Sequence, residues 1–299
     1  MIPSTLSGPP VSRIFRTLAA PLLIGVAALV LLAAAPAHAA PSETMAERNL
    51  RRIVERQKQL FADAEKQGDK LDMDAFQTQA QSIAHDYDRL LADNQNFAAA
   101  YAAYGYFLGK VGMKKESLAI LLKANQLDPD IPLVKNQIGN ALAESGHPIE
   151  AAEYFLAAIK LDPNEPLYHY QFGTVLSEAR DTFLKSGEWT RPALDKAMHD
   201  AFKRASELAP DRFEYAYRYA MSFYELETPD WDGALKAWSA LEEKAQSPLE
   251  RQTMRLQAAN VFIKMGKLDH ARTLLASVDD PKLDGQKQRL LVQLDPAKK

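Results

Sequence analysis

The chain of 299 residues contains no cysteine. That excludes a disulfide scaffold, thiol catalysis, zinc–thiolate sites and a lipid anchor on an N-terminal cysteine. Strand signals are missing as well: there are no alternating β-branched runs and no Asn-Gly hairpin turns. Motifs that carry chemistry are equally scarce. G-x-S-x-G, H-E-x-x-H, the phosphate-binding Gly-Lys loop and G-x-G-x-x-G do not occur. Beyond Ala35 no apolar run approaches the ~20 residues of a membrane-spanning helix. An excess of basic charge is absent too, so there is no electrostatic footprint for nucleic acid.

What is present begins at the N-terminus. Arg13 and Arg16 precede an apolar run from Leu22 to Ala35, and Ala37, His38 and Ala39 form an A-x-A pattern. A charged start, a short apolar middle and a small-residue exit predict an export signal over residues 1–39, cleaved near Ala39/Ala40. The alternative is an uncleaved N-terminal anchor. Cleavage lowers the basic count from 36 to 34 against 39 acids, a net charge of −5. The mature chain is then periplasmic or secreted.

The remaining histidines, His85, His147, His169, His199 and His270, are far apart in sequence. His199–Asp200 and Asp269–His270 are adjacent pairs, which point in different directions on a helix and so are not ligand pairs. HDYD at 85–88 reads as a polar helix face with Tyr87 turned inward. No metal, no cofactor and no catalytic residue is assigned, and the chain is read as a non-enzyme.

The strongest pattern is a repeat. Gly105, Gly139 and Gly173 are spaced by 34 residues, as are Gly112 and Gly146, and Pro129 and Pro163. Fixed self-similarity at this period points to stacked helical hairpins. In residues 132–164 Ile138 and Gly139 sit mid first helix, Gly146 marks a turn, and Ala151, Phe155, Ala158, Leu161 and Pro163 follow. Small residues are expected where two helices approach closely, and Pro163 where a helix must stop. Leu161 is expected to be the last buried apolar residue of its helix.

On these residues the sequence resembles the tetratricopeptide repeat (TPR) family. The resemblance covers about 98–284 and implies an all-α, right-handed superhelical array of helix–turn–helix repeats with helical caps. The expected units are 98–131, 132–165, 166–212, 213–248 and 249–284. Residues 40–97 would form an N-terminal helical hairpin, a degenerate repeat or cap, and 285–299 a C-terminal capping helix and tail. In this chain Lys135 and Leu142 stand where the family carries aromatic residues.

The third unit departs most. Gly173 to Pro210 is 37 residues, 13 more than the 24 from Gly105 to Pro129. The surplus is read as a first helix extended to about Leu184, a loop at 186–189, and a new start with Thr190 as N-cap and Pro192 in the first turn. Two readings stand for it. It caps packed helices with Trp189 folded inward, or Arg180, Trp189 and Arg191 form a ridge that contacts a partner.

The resemblance further implies a groove lined by the first helices. The matching positions are Tyr106, Asn136, Asn140, Tyr170, Thr174, Tyr217, Met221, Tyr224, Leu256 and Asn260. Amides can bond to an extended peptide backbone, and aromatics supply contact area with a polar tip. The alternative is that several of these side chains simply pack between helices. The Lys/Asn pairing that grips chaperone C-termini in some TPR modules is not matched: Asn136 and Asn140 stand there, with Lys135 one residue out of place. The expected function is therefore a scaffold holding a protein or peptide partner, without nucleic acid and without a stable membrane span after cleavage. Alternatives are a component of cell-envelope polymer processing and a self-associating structural module.

Overall fold

Thr44 starts the first helix. Its hydroxyl accepts from the Glu47 amide at 3.2 Å, and the Glu47 carboxylate accepts from the Thr44 amide at 2.7 Å. This reciprocal pair satisfies two donors that a helix start leaves open. The computed structural model describes residues 43–294, and the regular elements among them are all helical. The expected export signal lies outside the described residues, as does the tail beyond Leu294. No helix among the described residues is long and apolar enough to cross a membrane. Two compact units meet between Ala141 and Leu142.

In the first unit α1 (Met45–Gln67) and α2 (Met73–Asp93) form a hairpin around the short turn at 68–70. Leu50, Ile53, Val54 and Leu60 recur at helical spacing and face Ile83, Tyr87 and Leu90 in one core. Tyr87 is fully buried, as HDYD implied, and its hydroxyl donates to Gln57 Oε1 at 2.7 Å. Its ring stacks on Tyr104 of α3 (Ala98–Lys110) at 4.9 Å. The hairpin thereby covers an apolar face of α3, which a terminal repeat would otherwise expose to water.

The pair α3 and α4 (Lys114–Leu127) shows why the repeat needs small residues. A Cβ on Gly105 would fall 2.6 Å from Leu121 Cγ, inside any tolerable contact. Ser117 adds a buried bond to the Gly105 carbonyl at 2.7 Å. The turn glycine Gly112 has φ +84°, a backbone state that costs glycine little and other residues more. The helix α5 (Pro132–Glu144) runs across the boundary between the units.

The second unit contains α6 (Pro148–Leu161), α7 (Pro166–Glu178), α8 (Arg180–Ser186), α9 (Arg191–Leu208), α10 (Phe213–Ser222), α11 (Trp231–Lys244), α12 (Pro248–Lys264), α13 (Leu268–Ala276) and α14 (Asp284–Leu294). Gly173 of α7 meets the Phe202 ring of α9, where a Cβ would fall 2.9 Å from the nearest ring atom. Two expectations for this unit are corrected. Leu161 is 38% exposed, not buried: it is the last residue of α6, and the chain turns away at once through Asp162, whose Oδ1 accepts from the Asn164 amide at 3.2 Å. The first helix of the third repeat does not continue to Leu184. It ends at Glu178, Ala179 leaves helical geometry (φ −102°, ψ 22°), and α8 starts afresh. Thr190 does cap α9, accepting from the Ala193 amide at 3.4 Å. At the C-terminal end Leu294 of α14 is buried with Leu256, Leu275 and Val278.

Candidate functional site

Helices α7, α10 and α12 carry the groove positions of the second unit. On α10 and the 3-10 turn that follows it (Phe223–Glu225), Phe213, Tyr217, Met221 and Tyr224 fall at intervals of four, four and three. This spacing places them along one side of the element. Phe213 is 41% exposed; the other three are half-buried. Tyr217 meets Phe213 at 5.8 Å and sets its ring edge-on to Trp238 at 5.3 Å. Tyr224 lies 5.6 Å from Trp231, and its hydroxyl donates to the Gln257 carbonyl of α12 at 3.0 Å. Burial pushes the Tyr224 hydroxyl up to about 12, so it is a neutral donor throughout the physiological range. Asn260, also half-buried, is one turn further along α12. The stripe offers aromatic and thioether surface edged by an amide.

The other groove positions divide. Tyr170 is half-buried but committed: its hydroxyl donates to Glu214 at 3.1 Å, and its ring packs on Tyr215 at 4.8 Å and Phe202 at 5.8 Å. Burial, reinforced by Glu214, pushes it up to about 12. Thr174 returns its hydroxyl to the Tyr170 carbonyl at 2.9 Å. In the first unit Tyr106 is half-buried, with the Lys110 ammonium 5.5 Å from its ring centre, and Asn140 is partly accessible. Two expectations are corrected outright. Asn136 and Leu256 are 0% and 1% exposed and line no surface. Groove-facing and packing positions share one helical period, so spacing could not separate them. Phe213 was missed; its signal was the interval of four to Tyr217.

The insertion holds a network of charges. Arg191 Nε donates to both carboxylate oxygens of buried Asp195 at 2.8 Å, and Arg180 Nε lies 3.6 Å from the same group. Glu225 accepts from Ser177 at 2.6 Å, Arg218 at 2.6 Å and Arg180 at 3.2 Å. Arg191 also reaches the Glu225 carbonyl at 2.9 Å, and the Glu227 amide donates to Asp195 at 2.7 Å. Arg180 and Arg191 are therefore spent on internal partners, which corrects their place in an outward ridge. Trp189 is half-buried, edge-on to Phe183 at 6.2 Å.

Next to this network His199 lies between Tyr219 and Phe223, with ring centres at 5.1 and 4.5 Å. Buried Ser222 donates to the Tyr219 carbonyl at 2.6 Å, so His199 Nδ1 donates to Ser222 Oγ at 2.8 Å. The hydroxyl is sealed inside the fold and serves packing, not nucleophilic chemistry. Burial holds the imidazole below its ordinary value, outweighing Asp200 and Asp230. The unfolded chain then takes up this proton more readily. The His199 contribution to stability is full above about pH 6.5 and is lost as pH falls below it. A smaller decline in the urea midpoint of His199→Phe than of the parent, between about pH 7.5 and 5.5, is the expected result. Parallel declines would show that His199 does not contribute.

No curated protein matches this chain in sequence. Residues 132–165 match the tetratricopeptide repeat family. Among solved structures the fold is similar to that of YrrB, a TPR protein with an unusual peptide-binding site, at 20% identity and TM-score 0.56, over 72% of this chain and 98% of that one. It is also similar to PilF of Pseudomonas aeruginosa, at 13% identity and TM-score 0.57, over 84% of this chain and all of that one. At these identities the likeness concerns the fold alone. All-α, TPR-type helical hairpins are thus what the chain builds.

Proposed function

We propose that this chain is a non-catalytic TPR-type scaffold that holds an extended segment of a partner polypeptide on the face formed by α10 and α12, working outside the cytoplasm after loss of residues 1–39. The observation that supports this reading is the stripe of Phe213, Tyr217, Met221 and Tyr224, which stays partly exposed beside a fully buried Trp238. Side chains needed only for packing would be covered as Trp238 is. Large aromatic surface with few rotatable bonds is the kind that carries most binding energy at interfaces. The peptide-binding site of YrrB, which shares the fold, agrees with this use.

The test is selection of a random 12-mer peptide library on the full-length chain. Enriched peptides should bind the Tyr217→Ala/Met221→Ala variant at least about tenfold more weakly. Equal binding by parent and variant would remove this face from consideration. For the export reading, N-terminal sequencing of protein recovered from its native compartment should begin near Pro41. A sequence beginning at Met1 would overturn it.

A further inference from the structure

Tyr224 occupies an unusual place for a docking residue. It lies neither in α10 nor in α11 but in the three-residue 3-10 turn Phe223–Glu225 between them. Such turns have poorer hydrogen-bond geometry than an α-helix and do not hold their shape unaided. No side chain caps this one at its start. Its shape must come from elsewhere.

The geometry points to the insertion. We propose that the 13 extra residues of the third repeat form an internal clamp whose arginines set the position of Tyr224 on the docking face. This rests on the reading of that face as the peptide surface. Arg180 and Arg191 are the first residues of α8 and α9, the two helix starts that the insertion creates. Arg180 reaches one Glu225 carboxylate oxygen and Arg191 the Glu225 carbonyl. Arg218, lodged 4.1 Å over the Phe202 ring, takes the other carboxylate oxygen and also donates to Ser177 at 2.7 Å. Two residues on, Asp195 accepts from the Glu227 amide while its carboxylate holds Arg191. The segment 225–227 is therefore fixed at a side chain, a carbonyl and an amide, all by charged partners, and charge-assisted bonds are the stronger kind.

Tyr224 is the residue immediately before this fixed segment. Its ring turns toward Trp231, and its hydroxyl toward α12. An error of about 1 Å in the turn would move the ring by as much, enough to lose a shaped contact. A standard 34-residue repeat has no residues from which Arg180 and Arg191 could be supplied in this way. On this account the break in spacing serves the groove from behind, and Arg180, Arg191 and Arg218 are positioning residues.

The experiment places 3-fluorotyrosine at position 224 of the full-length chain and, in a second sample, at position 170, and records fluorine NMR without ligand. In Arg180→Met and Arg191→Met the 224 resonance should shift toward the free amino acid or broaden, while the 170 resonance and the helical circular dichroism stay in place. A 224 resonance that does not move overturns the clamp. So does a 170 resonance that moves equally, because that is general loosening. If either arginine variant does not fold, Glu225→Gln, which keeps the shape and removes the charge, is read by the same two resonances. A library-selected 12-mer should bind these variants about tenfold more weakly. Unchanged peptide binding with a displaced 224 resonance would reject Tyr224 as a docking residue and leave the clamp standing.

Discussion

Replacing Trp238 with alanine is expected to destabilise the second unit by about 3–5 kcal/mol, the range for removing a large aromatic from a packed core. Trp238 is the largest fully buried side chain in the protein. It shares a core with Phe223, Leu241, Met254 and Val261, so the void opens between α10, α11 and α12 and not at a surface able to collapse. Tyr217 rests edge-on against it and loses its support. Urea unfolding followed by circular dichroism measures the effect. A loss under about 1 kcal/mol would mean that the neighbours close the void, contrary to the packing described.

Asp195→Ala should cost nearly as much, about 3 kcal/mol, by a different route. The carboxylate is buried and holds the Arg191 fork and the Glu227 amide, with Arg180 at 3.6 Å. Removing one partner of such a pair leaves the others desolvated and unmatched, which is where the cost arises. Part is recovered because Arg191 is about one-third exposed, at 36%, and can turn to water. A double-mutant cycle with Arg191→Ala separates the pair from the rest, with a coupling of about 1–3 kcal/mol expected. Additive effects would show that the fork contributes nothing beyond its parts.

The repeat was legible because its period is enforced by local sterics. Gly105 and Gly173 are demanded by Leu121 and Phe202, which arrive from the next helix at a fixed distance along the chain. Thr190 and Asp230 announce helix starts for the same local reason, each accepting from the third amide onward. The break at Ala179 was not legible. The segment 177–185 carries no glycine or proline and reads as continuous helix, so tertiary packing of Phe183 overrides propensity there. The roles of Arg180 and Arg191 were hidden for a related reason. Glu225 lies 45 and 34 residues downstream of them, beyond the reach of any local pattern. At the docking face the stripe from Phe213 to Tyr224 could be read from its intervals, while the burial of Asn136 and Leu256 depends on neighbours that no interval names.

The clamp also bears on the order in which the second unit folds. Its helices otherwise pack mainly on helices adjacent or nearly adjacent in sequence, such as α6 on α7, α7 on α9 and α11 on α12. Loops that short close at little entropic expense, so hairpins can form early and in succession. Ser177 and Glu225 must wait until 48 intervening residues are in place. Charges that meet only in nearly native surroundings contribute late, after the rate-limiting barrier, and act as a brake on opening more than a guide to closing. In a chevron plot the Asp195→Ala change should therefore steepen the loss of the native state through faster unfolding and leave the refolding arm nearly where it was; a slowed refolding arm would place the clamp in the nucleus instead. A protein exported into a compartment without control over its surroundings gains persistence from such a brake.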